Sequence, residues 1–197
     1  MYKFFVKTII GAAIIASWSN ASAVMLGFDV LTSRINTGDT VEVGVTISGL
    51  GDQSPDSLST FDLDVWYDEG ILSFNDAIFG DSVLGNQLDL LAFGTLNAVT
   101  RGTGVINLME LSFDLPDDLD MLQAGSFTLA TLSFTAISAG TSVLDLTINA
   151  LGDSLGDSLS ASATSESVAV SEPSVLVLMG IGFLGIALAN AKRANIN

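Results

Sequence analysis

The chain has 197 residues, enough for one domain with a sizeable core, and carries 22 acidic against six basic side chains for a net charge of −16. It contains no cysteine and no histidine, which excludes Cys/His zinc sites, disulfides and any nucleophile that depends on a histidine base. All the carboxylates lie between Asp29 and Glu172 with only Arg34 and Arg101 among them, a segment charge of −20 that repels phosphates and argues against nucleic acid as a partner.

Residues 1–23 read MYKFFVKTIIGAAIIASWSNASA. Lys3 and Lys7 form a positive start, Ile9 to Ala16 an apolar run, and Ala21-Ser22-Ala23 a small-residue cleavage site, the three parts of a secretory signal peptide. The apolar run is too short to span a bilayer, so removal by signal peptidase after Ala23 is predicted.

Thr40 to Ser48 alternates Val41, Val43, Val45 and Ile47 with smaller or polar residues, a period of two that specifies a strand with one buried face. In Thr60 to Asp68, Phe61, Leu63, Val65 and Tyr67 take one face and Asp62, Asp64, Trp66 and Asp68 the other. Further alternating runs fall at Ile71–Phe74, Val105–Phe113, Ala130–Ile137 and Val143–Ile148, separated by Gly, Asp, Asn and Ser clusters that read as turns. No amphipathic helix is predicted between them, and short strands at such spacing imply an all-β sandwich.

Trp66 stands on the polar side of its strand, where it is either an exposed binding residue or is covered by a loop. If the face is open, Trp66 beside Asp62 and Asp64 suits sugar stacking with hydrogen bonding, or a protein partner. Asp117, Asp118 and Asp120, or Asp52 and Asp56, could offer oxygen ligands to Ca²⁺, but no EF-hand loop is present and solvated acidic loops are the preferred reading. No cofactor is otherwise expected. Gly152-Asp153-Ser154-Leu155 and its copy Gly156-Asp157-Ser158-Leu159 match a short esterase string twice, yet that chemistry needs a histidine, so the repeat reads as a loop. Gly180-Ile181-Gly182-Phe183-Leu184-Gly185 matches a dinucleotide-binding string inside an apolar tail with no preceding strand, and is set aside.

Val175 to Ala191, VLVLMGIGFLGIALANA, is uncharged and followed at once by Lys192 and Arg193. As a helix it would extend about 26 Å, just enough for the hydrocarbon core, with the basic pair held on the cytoplasmic side. An exported N-terminus and a cytoplasmic C-terminus agree with each other. The predicted organisation is a signal peptide (1–23), a β-sandwich (24–170), a linker (171–174), a transmembrane helix in the inner membrane (175–191) and a cytoplasmic tail (192–197).

Ser171-Glu172-Pro173-Ser174, then the Gly-rich apolar helix, then Lys192-Arg193, resembles the PEP-CTERM sorting signal. Glu172 and Pro173 occupy the Glu-Pro positions of that motif, and Ser171 stands where proline is commonest. The resemblance implies an exosortase as partner, a membrane-embedded enzyme that recognises and processes the tail during export. It places the protein at the surface or in the extracellular matrix of a Gram-negative bacterium, after an inner-membrane intermediate.

The order of Thr37-Gly38-Asp39-Thr40-Val41, Phe61 to Asp68, Ile71-Leu72-Ser73-Phe74 and Leu129 to Ala136 also resembles the cohesin domain over most of residues 25–170. Cohesins are jelly-roll sandwiches of about nine strands that bind dockerin modules, so the resemblance implies that fold and a dockerin-like protein or a polysaccharide as partner. The expected function is an exported, non-catalytic binding or adhesion module. A hydrolase with paired carboxylates acting on exopolysaccharide, and a purely structural matrix protein, are the alternatives.

Overall fold

The computed structural model describes residues 23–30 and 32–172, so the signal-peptide segment before Ala23 and the tail from Pro173 onward lie outside the described residues. In chain order the strands are β1 (Val24–Val30), β2 (Arg34–Asn36), β3 (Thr40–Ser48), β4 (Leu58–Trp66), β5 (Leu72–Phe79), β6 (Thr95–Gly102) and β7 (Val105–Ser112). Helix α1 (Pro116–Leu122) follows, then β8 (Ser126–Ala136), β9 (Gly140–Asp153), β10 (Ala161–Ala163) and β11 (Glu166–Ser171).

These form two sheets, one ordered β10-β1-β3-β8-β5 and the other β2-β11-β9-β4-β7-β6. The predicted alternation explains why they stack. Val41, Val43, Val45 and Ile47 on β3 and Phe61, Leu63 and Val65 on β4 are buried between the layers, and their neighbours in sequence point outward. Leu129, Leu132 and Phe134 of β8, Ile106 and Leu108 of β7, and Leu144 of β9 complete the core. Each large side chain removed from water contributes about 1.5–3 kcal/mol, and with no disulfide available this burial is the main stabilising term. Phe134 is a centre of the aromatic packing, with ring centroids 5.2 Å from Tyr67 and 5.6 Å from Phe74.

The expected all-β sandwich is present, with one correction: LPDDLD is not an acidic loop but enters α1. Pro116 fits the first helical turn, where its missing N–H costs nothing, and Asp117 and Asp118 sit at the positive end of the helix dipole. Leu119 alone is buried, and a single anchor in seven residues shows no helical period. No described helix is long and apolar enough to cross a membrane, and the stretch 175–191 falls outside the described residues.

Candidate functional site

The outer face of the six-stranded sheet is built around β4. Asp62, Asp64 and Trp66 project from it as the two-residue period requires, because Phe61, Leu63 and Val65 fill the core on the other side. Cross-strand pairing places Asn107 of β7 opposite Asp64 and Val105 opposite Trp66, while β9 brings Thr147 opposite Asp64 and Asp145 opposite Trp66. A bulge in β9 at the Asp62/Leu63 step turns Asn149 onto the same face.

Hydrogen bonds fix these side chains. The Asn107 amide nitrogen donates to Asp62 Oδ1 at 2.6 Å and to Asp64 Oδ1 at 2.9 Å, bridging the two carboxylates. Asn149 donates to Asp62 Oδ1 at 3.2 Å, and the Trp66 indole N–H donates to Thr147 Oγ1 at 3.1 Å. Trp66 remains 45% exposed, and among the described residues no loop covers it. The structure therefore brings Trp66, Asp62 and Asp64 together on one surface, with Oδ1 of each aspartate held by an amide.

Asn107, Asn149 and Thr147 were not singled out from the sequence. Asn107 was within reach, since it has outward parity in the Val105–Phe113 run, but its meeting with Asp62 and Asp64 depends on β7 pairing with β4 in this register. The bulge that presents Asn149 has no sequence signal beyond the alternation breaking after Ile148.

The other carboxylates have local tasks. Asp153, the last residue of β9, accepts the Leu155 and Asp157 N–H groups through Oδ1, so the duplicated Gly-Asp-Ser-Leu stretch leaves the strand in a turn capped by its own aspartate. Asp120 accepts the hydroxyls of Ser57 and Ser154, Asp52 accepts the Gly125 N–H, and Asp117 and Asp118 lie on the first turn of α1. Among the described residues no three acidic side chains converge as a metal site would require.

Two carboxylates, Asp114 and Glu110, are instead buried, each with one oxygen lacking a partner, and Glu110 is the deeper. It lies fully buried on the inner face of β7, with Oε1 accepting the Asn86 amide at 2.7 Å and Oε2 without a partner. Burial pushes its pKa up, the Asn86, Thr95 and Asn97 side chains pull it down, and the nearby Asp89 charge adds to the rise.

At the C-terminal end, β11 is held between β2 and β9, and Ser171 is still paired with Asn36. Its carbonyl accepts the Thr37 N–H at 3.3 Å, so Glu172 emerges directly from the sheet. Ala23 precedes β1 at the other end, and Val24, the first residue after the predicted cleavage, is already buried. Ala21, Pro173, Ser174, Lys192 and Arg193 lie outside the described residues.

The PEP-CTERM protein-sorting motif matches residues 169–193. No curated protein matches the chain. Among solved structures the sandwich is similar to the sixth cohesin of scaffoldin B from Acetivibrio cellulolyticus, in complex with a Cel5 dockerin, at 21% identity and a TM-score of 0.58, covering 76% of this chain and 99% of that one. It is similar to a type I cohesin–dockerin complex from Clostridium thermocellum at 13% identity and TM-score 0.58, covering 76% and 99%. A non-cellulosomal cohesin of Archaeoglobus fulgidus matches at 14% identity and TM-score 0.56, covering 76% and 91%. The chain thus has the cohesin fold, a two-sheet sandwich, and ends in a PEP-CTERM sorting motif.

Proposed function

We propose that this chain is an exported, non-catalytic binding module whose docking surface is the outer face of β9-β4-β7, centred on Trp66, Asp62 and Asp64. The observation that carries the reading is an exposed tryptophan among polar side chains already locked by mutual hydrogen bonds, so a partner meets a surface with little left to order. The partner is a protein. Two of the similar solved structures are complexes with dockerins, which makes a dockerin-like module the first candidate.

Delivery follows from the two ends. The sorting motif supports recognition by an exosortase, with residues 175–191 lodged in the inner membrane and Lys192 and Arg193 inside the cell. Signal peptidase cutting after Ala23 would leave β1 intact, since Val24 is its first residue. The destination is the cell surface or the extracellular matrix of a Gram-negative bacterium.

Hydrolysis by Asp62 and Asp64 is disfavoured by their placement. Both project from one strand two residues apart and share one amide donor, whereas a glycosidase sets its carboxylates on opposite sides of the scissile bond.

The test is capture of dockerin-like modules by the full-length chain in detergent, with Trp66→Ala as the paired variant. The proposal expects binding that falls at least about tenfold in the variant while the melting temperature holds. Binding unaffected by the substitution moves the contact to another face, and negative results against both dockerins and a glycan array leave a purely structural matrix protein. Intact mass of protein recovered from cells tests sorting: retention of residues 175–197 rejects tail processing.

A further inference from the structure

A cleft of about 540 Å³ opens at the end of the sandwich, beside the Trp66 face but lined by other residues, among them Tyr67, Glu69, Ser73, Phe74, Arg101 and Ile137. Its volume lies within the range of small-ligand sites, roughly 300–1,000 Å³. Arg101 is the penultimate residue of β6, and its guanidinium carbon sits 4.5 Å from the centre of the Phe74 ring. One Nη2 hydrogen is given to the Asn75 carbonyl; that is its one side-chain hydrogen bond among the described residues, and no carboxylate there pairs with it. In a segment of charge −20 Arg101 is one of only two cations, and it stands exposed at this cleft.

Opposite charges are held apart here rather than joined. Glu69 is anchored through Oε2 by the Gly104 N–H at 3.0 Å, a bond made possible by the left-handed backbone of Gly104 (φ +66°), whose missing Cβ would lie 3.1 Å from the Tyr67 carbonyl. The Tyr67 phenol senses both groups: burial and Glu69 raise its pKa, and Arg101 acts in the opposite direction. The cleft therefore presents a fixed cation, a carboxylate acceptor, a phenol and a serine hydroxyl, beside the exposed apolar side chain of Ile137.

We infer that this cleft binds an acidic sugar unit of a polysaccharide, its carboxylate on Arg101 and its hydroxyls on Glu69 and Tyr67. A uronate combines the three complements that the lining asks for: one carboxylate for a planar guanidinium, several hydroxyl donors for a carboxylate, and an apolar ring face. A neutral sugar would leave the Arg101 charge unpaired. The cleft is open to solvent rather than enclosed, which is compatible with a unit within a chain. The inference rests on none of Trp66, Asp62 and Asp64, so either site can fail alone.

The experiment is calorimetric titration of the full-length chain in detergent with trigalacturonate, against maltotriose and free leucine. Trigalacturonate is expected to bind and, at one fixed salt concentration, to lose at least about tenfold affinity in Arg101→Gln. Arg101→Lys keeps the charge without the fork and should fall between them. Trp66→Ala should bind trigalacturonate as the wild type does. Equal binding of maltotriose, competition by leucine, or an Arg101→Gln variant that folds with unchanged melting temperature and unchanged affinity would each overturn the assignment.

Discussion

Replacing Glu110 by glutamine removes a charge from a place that solvates it poorly while keeping nearly the same shape. Oε1 has its Asn86 partner, Oε2 has none, the residue is fully buried, and Asp89 adds like charge from the neighbouring loop. The folded-state pKa is therefore raised, so the native state holds the Glu110 proton more tightly than the unfolded chain does. At pH below the ordinary glutamate range both states are protonated and the site costs nothing. As pH rises through that range and on to the raised value, the native state loses stability, and above it the loss is constant. Glu110→Gln keeps an acceptor for Asn86 and puts a neutral amide nitrogen in place of a charged oxygen without a partner, so near pH 7.5 it should be more stable than the wild type by about 1–3 kcal/mol, the scale on which leaving a buried charged group unsatisfied exceeds leaving a neutral one. For a chain of this size each kcal/mol corresponds to about 2–4 °C in melting temperature. Scanning calorimetry of both proteins at pH 4 and pH 7.5 reads the difference, which should shrink at the lower pH. A variant less stable than wild type at pH 7.5, or one with the same advantage at both pH values, would refute the reasoning.

Gln123 acts as a substitute strand: its side chain accepts the Leu58 N–H at 2.6 Å and donates to the carbonyls of Leu58 and Gln87, both at 2.9 Å. Gln123→Ala strands these buried groups and should cost about 2–4 kcal/mol in urea denaturation, with an unchanged slope. Phe134→Ala removes the ring that Tyr67 and Phe74 both pack against and should cost about 3–5 kcal/mol. The same measurement on Ile137→Ala, an exposed residue outside the core, should show less than about 1 kcal/mol.

What could be read in advance follows from which strands bury one face. β3, β4, β7, β8 and β9 lie inside their sheets, cover the core with every second side chain, and show the period of two directly. β6 was invisible because it is an edge strand, Thr95 to Gly102 almost wholly exposed, and nothing selects apolar residues on either side. β2 and β10 span three residues each, too few for a period to register. The Trp66 face was legible for the same reason as its strand, parity along β4. The Arg101 cleft was not: Tyr67, Phe74, Arg101 and Ile137 come from four parts of the chain, and only the packing of β6 and β5 at one end brings a cation onto a ring.

The sorting motif and the sandwich share residues, and that overlap has a testable result. The match begins at Ala169, within β11, where Ala169, Val170 and Ser171 pair with Arg34, Ile35 and Asn36, and Val168 and Val170 are buried in the core. Only Glu172 separates the last paired residue from Pro173, which cannot donate to a sheet and favours an extended residue before it. An enzyme that processes the sorting motif would thus meet the Glu-Pro step directly against a folded domain whose segment charge is −20. Six Gly/Ser residues inserted between Ser171 and Glu172 would move that step away from the sheet by up to roughly 20 Å when extended. They should leave the melting temperature unchanged, because no pairing of β11 is touched, and should speed conversion to the processed form in pulse-chase. If the spacer leaves the processing rate as it was, the domain does not restrict access; if it lowers the melting temperature, Glu172 contributes to the sheet in a way its exposed position does not show.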